Sequence, residues 1–174
     1  TALRVRQWCE RITQLNHACR LYPLLLVRHM GATVRNTPQM LRLQCAGAVA
    51  EGADGFILYY AQQLDGAYWM ELNRTIAGLL KYERYYMDGR RSEQNWIPAG
   101  LPKGSARIKN WPEAHITEVE NPLWHYTAHT LADSTLLTLF NYSDEALTFR
   151  FGKKILFTVP ARDVMFEVVN AQRP

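Results

Sequence analysis

Tyr22–Tyr60 reads YPLLLVRHMGATVRNTPQMLRLQCAGAVAEGADGFILYY and contains two short runs that are apolar almost throughout, Pro23–Val27 and Gly55–Tyr60. Neither run alternates between apolar and polar residues. A strand that is hydrophobic on both faces is covered on both faces, which is typical of parallel sheets flanked by helices. Because two strands do not make a stable sheet alone, we expect these two to belong to a larger α/β body.

Helical patterns precede, separate and follow the two strands. Ala2–Ala18 places apolar residues at spacings of two to four, with charged residues between them. Thr37 and Pro38 suit the cap and the first turn of a second helix, and Gly52 suits its end. A third helix is predicted over Ala67–Met87. Helix, strand, helix, strand, helix is the order of α/β units, in which right-handed crossovers keep the strands parallel.

The composition changes after Arg91, where Pro and Gly become frequent and helical periodicity ends. An edge strand is expected near Ala106–Ile108. Five further strands are predicted at Leu123–Leu131, Thr135–Tyr142, Ala146–Phe151, Lys154–Val159 and Val164–Val169. Short strands with tight turns indicate a small antiparallel sandwich. We therefore divide the chain into an α/β part, residues 1–94, and a linker with an antiparallel β-sandwich domain, residues 95–174.

Composition and charge restrict the classes of partner and compartment. The chain has 174 residues and is 48% hydrophobic, so it can bury a core. Its 20 Lys and Arg against 16 Asp and Glu give a net charge of +4, but they are spread along the chain, and we expect no nucleic-acid partner. No apolar run could cross a bilayer, so no membrane partner is expected. Cys9, Cys19 and Cys45 show no C-x-x-C spacing, which slightly favours a reducing compartment such as the cytoplasm and leaves secretion open.

Four motifs together resemble a known enzyme family. They are LRLQCAGAVAEGADG at 41–55, FILYY at 56–60, DGAYW at 65–69 and ELNRTIAGLL at 71–80. This combination resembles the final two units of (β/α)₈-barrel glycoside hydrolases, where a helix ending in G-A-x-G precedes the eighth strand and the closing helix carries E-x-N-x-x-I-x-x-L. The tail LLTLFNYSDEALTFRF at 136–151 resembles the β-sandwich module that often follows those barrels. The resemblance covers Tyr22 to Val169.

The resemblance implies a fold and partners. The implied fold class is α/β followed by all-β, namely the C-terminal units of a (β/α)₈ TIM barrel plus a small antiparallel β-sandwich. The implied partners are a carbohydrate and the remainder of the barrel, supplied by the N-terminal part of the same protein or by another chain. No cofactor is implied. The G-x-G-x-x-G, P-loop, H-E-x-x-H and G-x-S-x-G motifs are absent, which argues against nucleotide, zinc-peptidase and serine-hydrolase chemistry.

Barrel active sites lie at the carboxyl ends of the strands, and this rule selects the candidate substrate-binding residues. They are Arg28, His29, Tyr59, Tyr60, Gln62 and Asp65. Arg28 offers a fork of donors suited to a carboxylate or to sugar hydroxyls, and His29 can hold a proton near neutral pH. Tyr59 and Tyr60 offer aromatic faces to sugar rings, although strand alternation lets only one of them point into the barrel mouth. Asp65 has a structural alternative, as the cap of the helix that follows.

The chain lacks an obvious pair of catalytic carboxylates. Glycosidases need two acids flanking the scissile bond, and the first apolar strand ends Val27-Arg28-His29-Met30 with no acid. Glycosidic-bond hydrolysis by carboxylates outside this chain is therefore the leading hypothesis, and the catalytic residues stay unknown. A non-catalytic carbohydrate-binding or scaffold protein is the alternative, and an independent α+β domain with a basic surface is a third.

A metal site is not expected. His125 and His129 are four residues apart, so on a strand they share one face. A metal ion needs at least a third ligand, and the nearest acid, Asp133, falls in a predicted turn.

Overall fold

The computed structural model describes residues 2–14, 20–26, 37–59, 64–108 and 119–170. The first half of this part of the chain contains four helices and two short strands. In chain order they are α1 (Ala2–Gln14), β1 (Leu24–Leu26), α2 (Pro38–Ala50), β2 (Ile57–Tyr59), α3 (Gly66–Lys81) and α4 (Glu83–Asp88). The predicted alternation of helices and strands is confirmed.

The residues predicted to begin and end α2 do so. Thr37 Oγ1 accepts a hydrogen bond from the Met40 N–H at 3.2 Å, and Pro38 occupies the first turn, where no amide donor is needed. Gly52 follows the helix with φ of +98°, a conformation that residues with a side chain rarely adopt. The helix is therefore bounded by local chemistry at both ends.

The two short strands are parallel neighbours, as predicted, and they bury one face. Leu24 pairs with Ile57 and Leu25 with Leu58 in the register. Leu25 is 1% exposed and packs in a cluster with Leu41, Cys45 and Leu72 of the helices. On the opposite face Leu24 is 57% exposed and Ile57 is 53% exposed. Within the described residues the pair therefore has one covered face and one bare aliphatic face.

The third predicted helix is interrupted, which corrects the sequence-based expectation. Residue Tyr82 leaves the helical conformation, with φ of −114° and ψ of 13°, and separates α3 from α4. Its ring stacks on Phe166, with the ring centroids 5.8 Å apart. Trp69, near the start of α3, is exposed. Only the face bearing Leu72 and Leu79 is buried, so the apolar stripe in the sequence is wider than the packed face.

The second half of the chain is β-rich. Its strands are β3 (Arg90–Arg91), β4 (Pro98–Ala99), β5 (Ser105–Ile108), β6 (Val119–Pro122), β7 (Trp124–Leu131), β8 (Ser134–Asn141), β9 (Leu147–Phe151), β10 (Ile155–Val159) and β11 (Asp163–Asn170). One antiparallel sheet has the order β11-β8-β7-β3 and another has the order β10-β9-β4, while β5 pairs with β6. The five strands predicted after residue 122 are confirmed, each within one residue of its predicted bounds.

The four-stranded sheet lies between the three-stranded sheet and the helices. Leu137 and Leu139 on one face of β8 share a core cluster with Phe149 and Phe151 of β9. Phe140 on the other face packs with side chains of α2 and α3. Residues 135–141 of β8 are accordingly all buried.

The described residues therefore show a mixed α/β fold with a β-rich C-terminal region. Its two parallel strands do not by themselves establish a barrel. Strand β3, which precedes the predicted boundary at residue 94, pairs with β7. The division into residues 1–94 and 95–174 stays a prediction.

Candidate functional site

The predicted substrate site lies at the carboxyl ends of β1 and β2, and the structure describes part of it. Arg28, His29, Tyr60 and Gln62 fall outside the described residues. Tyr59 is the last residue of β2 and pairs with Leu26 in the register. These five residues stay predicted contacts of a carbohydrate.

Asp65 is the N-cap of α3, which confirms the structural alternative for this residue. Its Oδ1 accepts hydrogen bonds from the N–H groups of Ala67, at 3.0 Å, and Tyr68, at 3.3 Å. Two of the free donors in the first turn of α3 are thereby satisfied. Asp65 therefore fixes where α3 begins at this end of the strand pair, and a contact with a sugar stays a prediction.

A cluster of charged side chains lies where the helices meet the β-rich region, and we call it the Glu51 cluster. Its members are Arg6, Glu51, Arg91, Glu93 and His125. Glu51 immediately follows α2, and its side chain has no exposed surface. Its Oε2 accepts hydrogen bonds from Arg6 Nε at 2.9 Å and from Arg91 Nη1 and Nη2 at 3.0 Å each, and its Oε1 contacts His125 Nε2.

Each member of the Glu51 cluster comes from a different part of the fold. Arg6 lies on α1, Arg91 on β3 and His125 on β7, while Glu93 lies in a single 3₁₀ turn, Glu93–Asn95. Glu93 Oε1 accepts from Arg91 Nε at 2.8 Å and from Arg6 Nη2 at 3.2 Å, so the two acids share the same two arginines. The cluster thus joins the helices to the four-stranded sheet.

The electrostatic balance keeps the buried acid ionised. Burial is the largest influence on Glu51 and by itself raises its pKa, but His125, Arg91 and Arg6 together outweigh it and hold the pKa below its ordinary value. Burial likewise lowers the pKa of Arg91, and the adjacent Glu93 and Glu51 raise it above the ordinary value. The acid and its arginines therefore face each other as charged groups.

The buried position of Glu51 points to a structural role for this cluster. A general acid or base must reach a substrate, and the carboxylate of Glu51 is covered on all sides. Glu51 was not among the residues predicted for a site; it stands in the AEGADG segment directly after a run of small helical residues. An acid adjoining an otherwise apolar helix is a signal that could have drawn attention to it, because buried charges are normally paired.

His125 and His129 share one face of β7, as the sequence predicted. His125 contacts Glu51, and the ring of His129 meets Tyr86 of α4 edge-on, with centroids 5.3 Å apart. His129 is 4% exposed, and its Nδ1 has no hydrogen-bond partner. Among the described residues, no three His, Cys, Asp or Glu side chains are arranged to hold a metal ion.

No helix in the described ranges has the length and apolar character needed to span a membrane.

Comparisons with known proteins do not show a family for this chain. No protein-family model matches the sequence. No curated protein matches it either.

Proposed function

We propose that this chain is the C-terminal part of a glycoside-hydrolase-like protein, supplying the last units of a (β/α)₈ barrel together with a β-sandwich. The reaction is cleavage of glycosidic bonds by carboxylates that lie outside this chain. The observation that supports the proposal is the parallel pair β1 and β2, with helices on one face and bare aliphatic side chains on the other.

The bare face matches the inward face of a barrel strand. Barrel interiors are filled by branched aliphatic side chains that alternate with residues facing the helices. Leu24 and Ile57 are register partners on the face opposite Leu25. Because Leu24 is 57% and Ile57 53% exposed, covering the remaining surface of each side chain would stabilise the protein by about 0.8–1.5 kcal/mol. Further parallel strands with their own helices are the partner that would cover this face.

The residues expected to contact a carbohydrate follow from the same geometry. Tyr59 ends β2, and Asp65 positions the helix that begins beyond the same strand. The carboxyl ends of β1 and β2 point in one direction because the strands are parallel. Arg28 and His29 follow β1 in the sequence, and Tyr60 and Gln62 follow β2, so the proposal assigns to these four residues the donors and the aromatic surface that contact the sugar.

A non-catalytic carbohydrate-binding or scaffold protein of the same architecture is the second candidate. The segment Val27-Arg28-His29-Met30 favours it, because the strand end carries no carboxylate. The two candidates agree on the strand pair and on the sugar contacts. They differ in whether the complete protein contains two acids flanking the bound sugar.

The test of the barrel compares one substitution in two backgrounds. Ile57→Thr is made in the 174-residue chain and in the protein expressed from its complete reading frame. Because Ile57 is 53% exposed in the isolated chain, we expect little change there, but in the complete protein we expect a loss of about 1–3 kcal/mol in the free energy of unfolding. Leu156→Thr is the matched control, since Leu156 of β10 is also 53% exposed. Equal effects of Ile57→Thr in both backgrounds, or a reading frame that encodes no further strands, contradict the proposal.

The test of the activity uses the complete protein and a panel of polysaccharides and aryl glycosides. We expect release of reducing sugar, and a weaker sugar affinity for Arg28→Ala than for Arg84→Ala, an exposed arginine on α4. Binding without hydrolysis favours the second candidate. A complete protein that neither binds nor cleaves any glycan in the panel refutes both.

A further inference from the structure

His129 lies on β7 of the four-stranded sheet, and helix α4 covers its ring. Arg91 of β3 is its register partner on one side and Leu136 of β8 on the other, while Tyr86 of α4 covers the ring. Thr127 lies two residues earlier on the same face, and its buried Oγ1, like His129 Nδ1, has no hydrogen-bond partner. The imidazole therefore occupies an almost dry position whose contacts suit only its neutral form.

The acids near His129, Glu51 and Glu93, are already paired with other charged side chains. Glu51 and Glu93 are both bound to Arg6 and Arg91, and Glu51 also contacts His125. Among the described residues, His129 makes no hydrogen bond or ion pair with an acid. Burial first, and the Arg91 guanidinium second, lower the pKa of His129 from 6.5 to about 4, although Glu93 and Glu51 act weakly in the other direction.

The segment that covers the His129 ring is the short helix α4, and we call its residues 83–88 the covering segment. Strand β3, which follows it, is held separately by the ion pairs of Arg91 with Glu51 and Glu93. None of the six residues of α4 is fully buried. Polar contacts hold it to the sheet, including Tyr85 Oη with Ser134 Oγ at 2.7 Å and Tyr86 Oη with Thr138 Oγ1 at 2.9 Å. Such a segment can open locally at a lower free energy than strand β8, which is buried along its length.

We propose that His129 is an acid-sensitive latch, at which protonation of the imidazole releases the covering segment from β7 while β8 and the three-stranded sheet stay folded. A protonated ring in the closed state would place a second positive charge beside Arg91 without a free acid to receive it. Opening lets water solvate that charge. His125 acts differently, because a proton on His125 faces the carboxylate of Glu51.

The sign and size of the effect follow from proton linkage. The pKa of His129 is about 4 in the closed state and near 6.5 in the open state. At pH values between these two, the open state binds one proton more than the closed state. The open population should therefore rise about sevenfold between pH 6 and pH 5. Neighbouring charges hold the pKa of Glu51 below its ordinary value of 4.5, so Glu51 stays ionised over this interval.

Hydrogen exchange measured by mass spectrometry tests the latch directly. Exchange of amides in residues 83–88 is compared at about pH 7, 6 and 5, after correction for the intrinsic exchange rate. We expect their protection to fall about sevenfold between the last two values, while amides of β8 keep theirs. Uniform loss of protection in both regions, or no loss in residues 83–88, overturns the proposal.

Two variants and one spectroscopic measurement assign the effect to this histidine. His129→Phe and His129→Gln cannot take up the proton, so either one that folds should abolish the pH dependence. His125→Gln is the matched control on the same face of β7 and should retain it. In the unaltered chain, the ring protons of His129 should titrate in the NMR spectrum with a midpoint near 4 in the folded state. A folded-state midpoint near 6.5, or a pH dependence that survives in a folded His129 variant, refutes the latch.

Discussion

Replacing Glu51 by glutamine removes the central charge of the Glu51 cluster and keeps the size of the side chain. The carboxylate accepts three hydrogen bonds from the guanidinium groups of Arg6 and Arg91 and contacts His125. An amide at this position has one acceptor oxygen and presents N–H donors to groups that are themselves donors. We therefore expect the helices and the four-stranded sheet to lose their main polar connection.

The size of the loss follows from the burial of each partner. Breaking a buried ion pair by removing one member costs about 3–5 kcal/mol, because the other charge stays behind without a partner. The side chains of Arg6 and Arg91 are 29% and 34% exposed, so water can reach them once they are freed. We therefore expect the lower end of the range, about 3 kcal/mol. In a chain of this size, that loss corresponds to a decrease in Tm of about 6–12 °C.

Urea unfolding at two pH values measures the effect. Because neighbouring charges hold the pKa of Glu51 below its ordinary value, its stabilisation is complete at neutral pH and is lost as the pH falls through the pKa of the folded state. The difference between the wild-type chain and Glu51→Gln should therefore shrink in acid. Glu10→Gln, which removes an exposed charge from α1, is the control and should change the free energy of unfolding by less than about 0.5 kcal/mol. A Glu51→Gln variant that behaves like this control at neutral pH would refute the reasoning.

Two further substitutions test local features of the fold by urea unfolding. Asn141→Asp should destabilise the chain by about 3 kcal/mol. Asn141 Nδ2 lies within 3.1 Å of three backbone carbonyl oxygens, and a carboxylate cannot donate hydrogen bonds to them. The control is Asn170→Asp, at the exposed end of β11, which should have no comparable effect. Gly52→Ala should cost about 1–2 kcal/mol because its φ is +98°, although an added methyl group would meet only Cys9 Sγ at 3.6 Å. Gly66→Ala, which meets no atom within 4 Å, should be neutral or slightly stabilising, and a similar loss for both glycines would contradict the strain argument.

The features of the fold that were predicted from the sequence are set by residues close to one another in the chain. The capping by Thr37 and Asp65 and the helix end at Gly52 are set within a few residues, and all three are observed. The boundaries of the five strands after residue 122 were predicted within one residue because Pro, Gly and Asp turn residues separate compact apolar runs, whereas β3, β4 and β6 were not predicted. Local chemistry is strong enough at these positions to be visible without the rest of the fold.

Features that depend on distant residues were missed. The partners of Glu51 are 45, 40 and 74 residues away in the sequence, so no local spacing relates them. The break at Tyr82 accompanies a ring contact with Phe166 on β11. Of the predicted substrate contacts, Asp65 has a described role, as a helix cap. The local rule for helix caps identified that role, whereas a sugar contact depends on parts of the site outside the described residues.

Helix α2 relates the β-rich region to the strand pair. Leu41 and Cys45 pack toward β1, Ala46 and Ala50 pack toward Phe140 of β8, and other residues of α2 contact α1. A helix that is apolar on nearly all sides is buried on nearly all sides, which explains the run of small residues in its second half. Because the same helix supports β1 and β2 and covers one face of the four-stranded sheet, that face is not available to a carbohydrate. The β-rich region is therefore connected to the strand pair through α2, and under the proposed function its contribution is support of that pair or a contact made by its other surfaces.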